Sequence, residues 1–465
     1  EANLSKCAGL TTIDISGNNI ASLTLPEESV LTSLNISNNA MSIANLPEAS
    51  LFEEYTYAPQ DRVGIPVKGP GADIQSQYRI IDGKATVYTW FKADGTVLTE
   101  GTDYIINEGK TRFIDSNLGQ VYCAMTHPAL PQFSIAENTA LLSTEITVAP
   151  MPTNVVASFF TTVEGETVEV SLAATAPNTS IYIDWKGDGV DLVNYDLGTT
   201  YTLFQAQTSK DTEVKVYSYD DGAPLSVFSI SGATMKSIDI SKLTEAIAIT
   251  VNRASLESID LPKSGKIREL SLQSNKLSSI DLSGHKDLMS LSLTDNNFAG
   301  TYDLSGLTNL ELLSFANNQL TDVKIDNRKL WFLDLSRNLL ENVDVSGAPQ
   351  LNQLGLSGNA LSSVDVSMLN MLKVLFIDAN KFTFATLPAV KPAYALYVYS
   401  NQERLKVVPD GLSIDLASQA KVGETATSFK WFLDEPSQDE EGNWVGEDLV
   451  EGDEFTVTDG IVKFS

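Results

Sequence analysis

Apolar residues recur at a fixed spacing through the second half of the chain. Each clear copy has an apolar residue, a further apolar pair three and five positions later, and an asparagine three positions after that pair; the degenerate copies have alanine in place of the asparagine. Six clear copies begin at Ile267, Leu288, Leu310, Leu330, Leu351 and Leu372, and two degenerate copies begin at Leu225 and Ala246. Successive copies are 20 to 22 residues apart. A period this regular indicates a repeat architecture.

The spacing within a copy predicts how it folds. The two residues of each Leu-x-Leu pair lie on the same face of a short strand. The asparagine follows where the chain turns, and its amide can satisfy backbone groups that would otherwise be unpaired. One coil cannot bury its own apolar side, so neighbouring coils must stack. We therefore expect a solenoid whose first strands form one parallel sheet.

Most copies carry a second short apolar pair, such as Ile280/Leu282 or Val364/Val366. This pair predicts a second parallel sheet with little helix. An aspartate usually stands between its two members, as at Asp239, Asp260, Asp281, Asp303, Asp344 and Asp365. Alternation directs these aspartates outward. We interpret the column as solvated positions, with cation binding as the alternative.

This pattern resembles the leucine-rich-repeat family, specifically its short 21-residue bacterial class, from about Leu225 to Leu387. A shorter array at the N-terminus has copies at Leu10 and Leu31. Because Ala2-Asn3-Leu4-Ser5 aligns with the middle of a repeat, we expect the sequence to be a fragment of a longer protein.

A longer periodicity relates the two ends of the chain. The C-terminal part repeats the N-terminal part about 341 residues later, with matches such as Asn39/Asn380, Tyr57/Tyr399 and Trp90/Trp431. The second copy has no counterpart of residues 114–148. We expect a parent protein in which solenoids alternate with β-domains.

Two intervening segments have the alternation and turn signals of β-domains. Strands around Trp90 and Cys123 resemble an immunoglobulin-like sandwich, although no second cysteine precedes Trp90 within that segment. The stretch from Ile181 to Gly189 resembles the tryptophan/Asp-Gly strand-turn of polycystic-kidney-disease-type domains. We expect its segment to cap the large solenoid.

The predicted fold class is mainly β: a leucine-rich-repeat solenoid with little helix, plus immunoglobulin-like β-sandwich domains. We divide the chain into a partial array with a C-terminal cap (1–58), an immunoglobulin-like sandwich (59–149), a β-rich cap related to polycystic-kidney-disease-type domains (150–222), a solenoid of about eight repeats (223–400) and a partial second immunoglobulin-like domain (401–465).

The amino-acid composition argues against some classes of binding partner. A formal net charge of −29 repels phosphate backbones, which argues against nucleic acid and anionic membranes. No apolar run approaches the roughly 20 residues needed to span a bilayer. The two cysteines, Cys7 and Cys123, lie in different predicted domains, so we expect no disulfide.

The sequence offers little catalytic chemistry. His127 follows Cys123 by four residues, but on a strand this separates them by about 13 Å, beyond the reach of a nucleophile–base pair. We find no P-loop, zinc-ligand spacing or Gly-x-Ser-x-Gly elbow, and we predict that the protein is not an enzyme. Asp184, Asp188 and Asp191 are spaced loosely like a calcium loop, but they lack its terminal glutamate. A plain Asp-Gly turn is the favoured interpretation, and we expect no other cofactor.

The outward positions of the first strands predict a binding surface. They are mostly small and hydroxylic, and aromatic residues stand out near the end of the array. The candidate ligand-binding residues are Trp331, Phe332, Asp334, Arg337, Phe376 and Asp378. Aromatic side chains beside polar groups suit a binding hot spot. The alternative is that these rings pack on flanking side chains.

These observations predict recognition of a protein or peptide by the concave face of the repeats. A glycan-binding module and a structural spacer of a surface stalk are the alternatives. The modular arrangement resembles secreted or surface-anchored proteins of gut Bacteroidetes, which implies an extracellular or cell-surface adhesion protein. We expect a monomer.

Overall fold

A computed structural model describes residues 1–68, 70–114, 118–149, 152–189, 192–219, 224–422, 425–432, 437–438, 444–446 and 448–465. Within these ranges the regular structure is β, with four short 3-10 helices and no α-helix, which confirms the mainly β class. No helix in them is long and apolar enough to cross a membrane.

The chain divides into two compact units, each made of three segments. The first comprises Glu1–Ser158, Asn178–Leu197 and Thr212–Asp221. The second comprises Phe159–Pro177, Gly198–Asp211 and Gly222–Ser465. The strand Asn154–Thr161 contains the first boundary between them.

The first unit begins with a short stack of coils. The strands Thr12–Asp14, Ser33–Asn35 and Glu54–Thr56 form a parallel sheet, in which Ile13, Leu34 and Tyr55 are in register. The strands Ala2–Asn3 and Leu23–Thr24 form a second parallel pair. The 3-10 helices are Ile43–Asn45, Ala49–Leu51 and, further along, Gln75–Gln77.

The coils continue into a β-domain with two main sheets. One contains Val87–Lys92, Gln120–Thr126, Leu141–Leu142 and Ile146–Thr147. The other contains Val67–Lys68, Gly71–Asp73, Tyr104–Asn107 and Lys110–Phe113. Trp90 is fully buried, packs edge-on against Phe113 at 4.8 Å between ring centroids, and donates its indole N–H to Thr111 Oγ1 at 3.1 Å. One hydrophobic cluster runs from Ile13 of the coils to Val148.

The remaining strands of the first unit are one short hairpin and part of a five-stranded sheet. In the hairpin, Ile80–Ile81 pairs with Lys84–Ala85. Thr179–Asp184 pairs with both Leu192–Leu197 and Thr212–Ser218.

The second unit is built on an eleven-stranded sheet. Nine parallel strands run along the solenoid: Leu225–Ser231, Ala248–Asn252, Glu269–Ser271, Ser290–Ser292, Leu312–Ser314, Phe332–Asp334, Gln353–Gly355, Val374–Phe376 and Leu396–Val398. The register joins the first leucine of each Leu-x-Leu pair to its counterpart in the next coil, as in Leu333↔Leu354↔Leu375. The predicted stacking of coils is confirmed.

Two antiparallel strands extend this sheet at its N-terminal end. Thr167–Ala174 pairs with Leu225–Ser231, and Thr202–Gln207 pairs with Thr167–Ala174 on the other side. The backbone groups of the first coil strand therefore bond to an antiparallel partner instead of facing water.

The expectation of a second sheet along the whole solenoid is wrong. Within the solenoid's described coils, second-side strands pair only between Ala299–Asp303 and Gln319–Lys324. The residues on this side do not explain the difference, because the counterparts of Val323 in coils without this pairing, such as Ile280 and Val364, are β-branched as well. The strand Met235–Asp239, on the second side of the first coil, belongs instead to the five-stranded sheet. The other coils turn without a ladder.

The repeat asparagines form a continuous ladder of side-chain hydrogen bonds. Asn338 donates to the carbonyls of Phe315 in the preceding coil and Leu335 in its own, both at 3.0 Å, and accepts from the Leu320 N–H at 3.0 Å. Gln402 ends the ladder in the same way, donating to Ile377 O at 2.9 Å. Glutamine is one methylene longer, so it reaches the same groups from a less regular final turn.

The C-terminal part reproduces one sheet of the first β-domain. Ser413–Asp415, Phe455–Thr458 and Ile461–Phe464 pair in the same order as Gly71–Asp73, Tyr104–Asn107 and Lys110–Phe113. The 3-10 helix Ala417–Gln419 matches Gln75–Gln77. The other described strands here are Lys421–Val422, Thr425–Ala426, Ser437–Gln438 and Trp444–Val445.

Candidate ligand-binding surface

The parallel sheet of the second unit has one buried face and one open face. In each three-residue strand the central leucine is buried, and the residues on either side of it point away from the coil interior and are mostly half-buried. This is the alternation expected of a strand whose inner face contacts the stacked core. The outward residues therefore form a continuous surface along the solenoid.

Near the C-terminal end of this surface lies a depression of about 110 Å³, which we call the Gly355 groove. It is lined by Phe332, Leu333, Asp334, Ser336, Gln353, Leu354, Gly355, Ser357 and Phe376. Phe332 stands opposite Gln353, and Gly355 lies between Asp334 and Phe376 in the register. The two aromatic rings therefore flank the strand that carries the glycine.

The groove exists because Gly355 has no side chain. A Cβ atom at this position would lie 2.7 Å from Asp334 Oδ1 and 3.1 Å from Ser336 Oγ. The equivalent positions carry Ser271, Ser292, Ser314 and Asp334 in the preceding coils and Phe376 in the next one. A single glycine in a column of larger side chains is thus the sequence signal for this depression. Gly355 is one of the outward positions that strand alternation predicts, but the predicted ligand-binding residues include its neighbours and not Gly355 itself.

Polar groups line one side of the groove. Asp334 Oδ1 accepts a hydrogen bond from the Ser336 N–H at 3.0 Å, and the Ser357 hydroxyl donates to Asp378 Oδ1. Both carboxylates are half-buried. These bonds hold the two carboxylates beside the groove and leave part of each open to solvent.

The structure brings together most of the residues predicted for the site. Phe332, Asp334 and Phe376 line the groove. Trp331 lies at the edge of the sheet with 39% of its surface exposed, and its ring contacts that of Phe332 at 6.1 Å between centroids.

The other two predicted residues lie further from the groove. Asp378 reaches its margin through Ser357. Arg337 is exposed in the turn that follows the strand, outside the groove lining, and has a positive φ of 57°.

The hydroxylic part of the surface is bonded to itself. Gln273 Nε2 donates to Ser292 Oγ at 2.7 Å, and the hydroxyls of Thr294 and Ser314 are 2.7 Å apart. These side chains bridge successive coils. Their hydrogen-bonding capacity is partly used within the sheet, whereas Phe332 and Phe376 line an open depression.

The acidic column on the opposite side of the coils has a structural explanation. In each Asp-x-Ser turn the carboxylate accepts hydrogen bonds from the serine two residues later, as Asp303 does from the Ser305 N–H at 3.1 Å and its hydroxyl at 2.6 Å. The Ser305 hydroxyl, followed by its N–H, lowers the pKa of Asp303. The same turn recurs at Asp239, Asp281, Asp344 and Asp365. These aspartates close turns.

The predicted calcium loop is only partly described. Asp184 is buried, and its Oδ2 accepts the Gly189 N–H at 2.9 Å. Burial raises its pKa, and Asp188 adds to the effect. Asp188 is exposed, and Asp191 lies outside the described residues. In the part of the chain that the structure describes, no group of three His, Cys, Asp or Glu residues could hold a metal ion. Calcium binding here stays a prediction.

Cys123 and His127 are not a reactive pair. Cys123 is fully buried, and burial raises its pKa well above the usual thiol range. Both ring nitrogens of His127 contact backbone groups: Nε2 lies 3.2 Å from Arg79 O, and Nδ1 accepts the Ala129 N–H at 3.0 Å. Neither cysteine forms a disulfide.

No protein-family model and no curated protein matches the chain. Among solved structures, an internalin from Listeria monocytogenes is 23% identical, with 35% of this chain and 50% of that chain covered and a TM-score of 0.30. The leucine-rich repeat domain of APL1B is 20% identical, with coverages of 35% and 49% and a TM-score of 0.30. This chain thus spans about half the length of these two. The functional domain of InlJ from Listeria monocytogenes is 14% identical over 97% of this chain and 78% of that chain, with a TM-score of 0.34. All three scores lie below 0.5, so the repeat architecture of this chain rests on its own register and asparagine ladder.

Proposed function

We propose that this chain belongs to a non-enzymatic, extracellular leucine-rich-repeat protein that recognises a protein or peptide through the Gly355 groove. The observation that carries the proposal is an aromatic-walled depression in a sheet face built mostly of small hydroxylic residues. Aromatic residues at a well-packed centre with a polar rim are typical of binding hot spots.

The size of the groove favours a protein ligand over a small molecule. Sites for drug-sized ligands have volumes of roughly 300–1,000 Å³. A groove of about 110 Å³ holds a single apolar side chain. We infer that one anchor residue of a partner lies between Phe332 and Phe376, with the rest of the contact spread over the flat sheet.

The negative charge beside the groove favours a partner with basic residues. Asp334 and Asp378 stand beside the groove, and the whole chain has a formal net charge of −29. A partner with lysine or arginine around an apolar anchor would therefore associate faster, and more so at low salt.

Selection of displayed peptides on the chain, followed by titration of the selected peptides, tests the proposal. Phe332→Ala and Phe376→Ala should each weaken binding at least about tenfold, since aromatic hot spots contribute roughly 2 kcal/mol or more. Gly355→Ala should do the same by filling the groove floor. Met368→Ala is the matched control, because Met368 is 69% exposed and lies outside the groove lining. Peptides that bind all four variants equally would contradict the proposal.

One observation favours a second candidate, a glycan-binding module. The Trp331 ring is 39% exposed beside Phe332, and an exposed indole offers a flat apolar face beside polar groups. Glycan arrays probed with wild type and Trp331→Ala distinguish the two functions. If neither peptides nor glycans bind wild type, the spacer of a surface stalk becomes the better proposal.

We further propose that residues 59–149 and 401–465 are immunoglobulin-like spacer domains in a surface protein of the Bacteroidetes type. The buried Trp90 between two sheets and the repeated sheet of the C-terminal part support this proposal.

We propose a monomer that needs no cofactor. Protease shaving of intact cells tests the location, sedimentation tests the monomer, and calorimetric titration with millimolar calcium tests the Asp184 loop.

A further inference from the structure

A second depression of the solenoid lies beside the N-terminal ends of its parallel strands and has a volume of about 320 Å³. It is lined by Arg268, Asp287, Met289, Asn309, Glu311 and Lys329. Four of these six residues carry a formal charge, two of each sign, so we call this feature the charged depression. It shares no lining residue with the Gly355 groove and is therefore a separate feature.

The lining residues come from four successive coils that are held in register by their backbones. The Met289 N–H donates to the Arg268 carbonyl, and the Glu311 N–H donates to the Met289 carbonyl, both at 2.8 Å. Asp287 shares a coil with Met289, and Lys329 precedes the strand of the next coil. Because neighbouring strands lie about 4.8 Å apart, the rows of Arg268 and Lys329 are about 14 Å apart along the solenoid.

Three of the four charged side chains are not used within the protein. The same flank can close an ion pair, as Lys266 Nζ and Glu245 Oε1 do at 2.6 Å in the coils just before the depression. Arg268, Asp287 and Glu311, by contrast, form no ion pair with any residue in the described ranges. Their charges are therefore available to a ligand.

The fourth charge is positioned by a neighbouring amide. Lys329 Nζ donates to Asn309 Oδ1 at 2.8 Å, and Asn309 Nδ2 donates to the Lys286 carbonyl at 3.0 Å. An ammonium group has three donors, so Lys329 keeps two for a ligand. Met289, which is 37% exposed, adds an apolar group among these charges.

The composition of the depression favours an extended ligand over a compact one. Pockets for small molecules are mostly apolar with a few polar groups, whereas charges of both signs are spread here over four coils. Along the solenoid their order is positive, negative, negative and positive. A complementary ligand therefore has negative charge at its two ends and positive charge between them.

An extended polypeptide has the spacing that this order requires. Its side chains at positions i, i+2 and i+4 point to one face, and each step of two residues covers about 6.8 Å. The first and third side chains are thus about 14 Å apart, which matches the separation of the Arg268 and Lys329 rows. The middle side chain then falls between the rows of Asp287 and Glu311.

We propose that the charged depression binds an extended segment of a protein partner in which an acidic, a basic and an acidic residue alternate with uncharged residues. The two acidic side chains pair with Arg268 and Lys329. The basic side chain lies between Asp287 and Glu311. The proposal does not depend on the Gly355 groove.

A capped Thr-Glu-Thr-Lys-Thr-Glu-Thr peptide, titrated into the whole chain, tests the proposal, because threonine favours extended structure. Methyl NMR of methionine-labelled chain reads out the binding, with the Met289 signal assigned through Met289→Leu. We expect a saturable shift of the Met289 methyl and little change at Met368, which is 69% exposed and outside the lining. Raising the salt from about 20 to about 300 mM should weaken binding severalfold, since exposed charge pairs are screened.

Charge exchange tests the assignment of each end of the peptide. Arg268→Glu should weaken binding at least about fivefold. A peptide with lysine in place of one of its two glutamates should restore binding to this variant. Lys263→Glu is the matched control, because it changes the net charge equally at an exposed position outside the lining. Phe332→Ala should leave this binding unchanged, so the proposals for the two sites fail independently.

Three results would overturn the proposal. The first is a Met289 signal that does not shift saturably with the peptide. The second is equal binding of the inverse peptide Thr-Lys-Thr-Glu-Thr-Lys-Thr, which would mean that the order of charges is not recognised. The third is an equal loss of binding in Arg268→Glu and Lys263→Glu, which would mean that only the overall charge of the chain matters.

Discussion

The asparagine ladder predicts a large difference between two adjacent asparagines. Asn296 is 7% exposed, and its amide lies 2.9 and 3.1 Å from the carbonyls of Leu272 and Leu293. Its Oδ1 accepts the Leu277 N–H at 3.0 Å. Asn297 is exposed, and its side chain makes one hydrogen bond, a donation to the Lys276 carbonyl at 3.3 Å. Alanine at each position therefore removes very different sets of contacts from the same type of side chain.

The magnitude follows from the number of buried hydrogen bonds that are lost. Asn296→Ala removes three of them, at about 1–1.5 kcal/mol each, and so costs about 3–4 kcal/mol. The Leu277 N–H is left without a partner, whereas the Leu272 and Leu293 carbonyls still accept from Asn275 and Asn318. Asn297→Ala removes one long hydrogen bond at the surface and should change stability by less than about 0.5 kcal/mol.

Hydrogen exchange is the appropriate assay, because a chain of several units does not unfold in one step and a solenoid can open locally. In Asn296→Ala the Leu277 amide should exchange about a hundredfold to a thousandfold or more faster, at about 1.4 kcal/mol per tenfold. In Asn297→Ala the exchange rate of the Leu277 amide should stay near the wild-type rate. Equal effects of the two substitutions would refute the ladder as the source of cohesion between coils.

Three further predictions follow from individual contacts. Gly347→Ala should destabilise the solenoid by about 1–3 kcal/mol in denaturant titration, because the added Cβ would lie 2.3 Å from the Ile325 carbonyl oxygen. Gly284→Ala, at the equivalent turn of another coil, adds a Cβ into open space and should be nearly neutral. Burial lowers the pKa of His285, so the imidazole binds a proton more readily in the unfolded chain than in the folded one. The stability of the fold should therefore decrease as the pH drops below about 6.5. In unfolding measurements at pH 5–8, His285→Asn should make stability depend less on pH. A thiol reagent should label Cys7 alone in the native chain and also Cys123 after denaturation, since only Cys7 is exposed; rapid native labelling of both would contradict the burial of Cys123.

The binding surface could be predicted from sequence only in part. Strand alternation correctly put Phe332, Asp334 and Phe376 on one face. It did not identify Gly355 as the floor of a groove, because a depression depends on which side chains flank a position in the neighbouring coils. Arg337 was assigned to the margin of this face, but the positive φ of its turn places it outside the groove lining.

The sequence by itself determined the stacking of the coils. A 21-residue period of leucines cannot bury its apolar side within one coil, and each asparagine has the right reach to join two coils, so Leu270, Asn275 and their counterparts could pack in one register only. Tertiary structure alone decided where a second sheet forms, because the pairing of Ala299–Asp303 with Gln319–Lys324 depends on the fit of two adjacent coils. It also decided what buries Tyr57, because Gln132 and Phe133 lie far from it in the sequence and only the fold brings them against its ring.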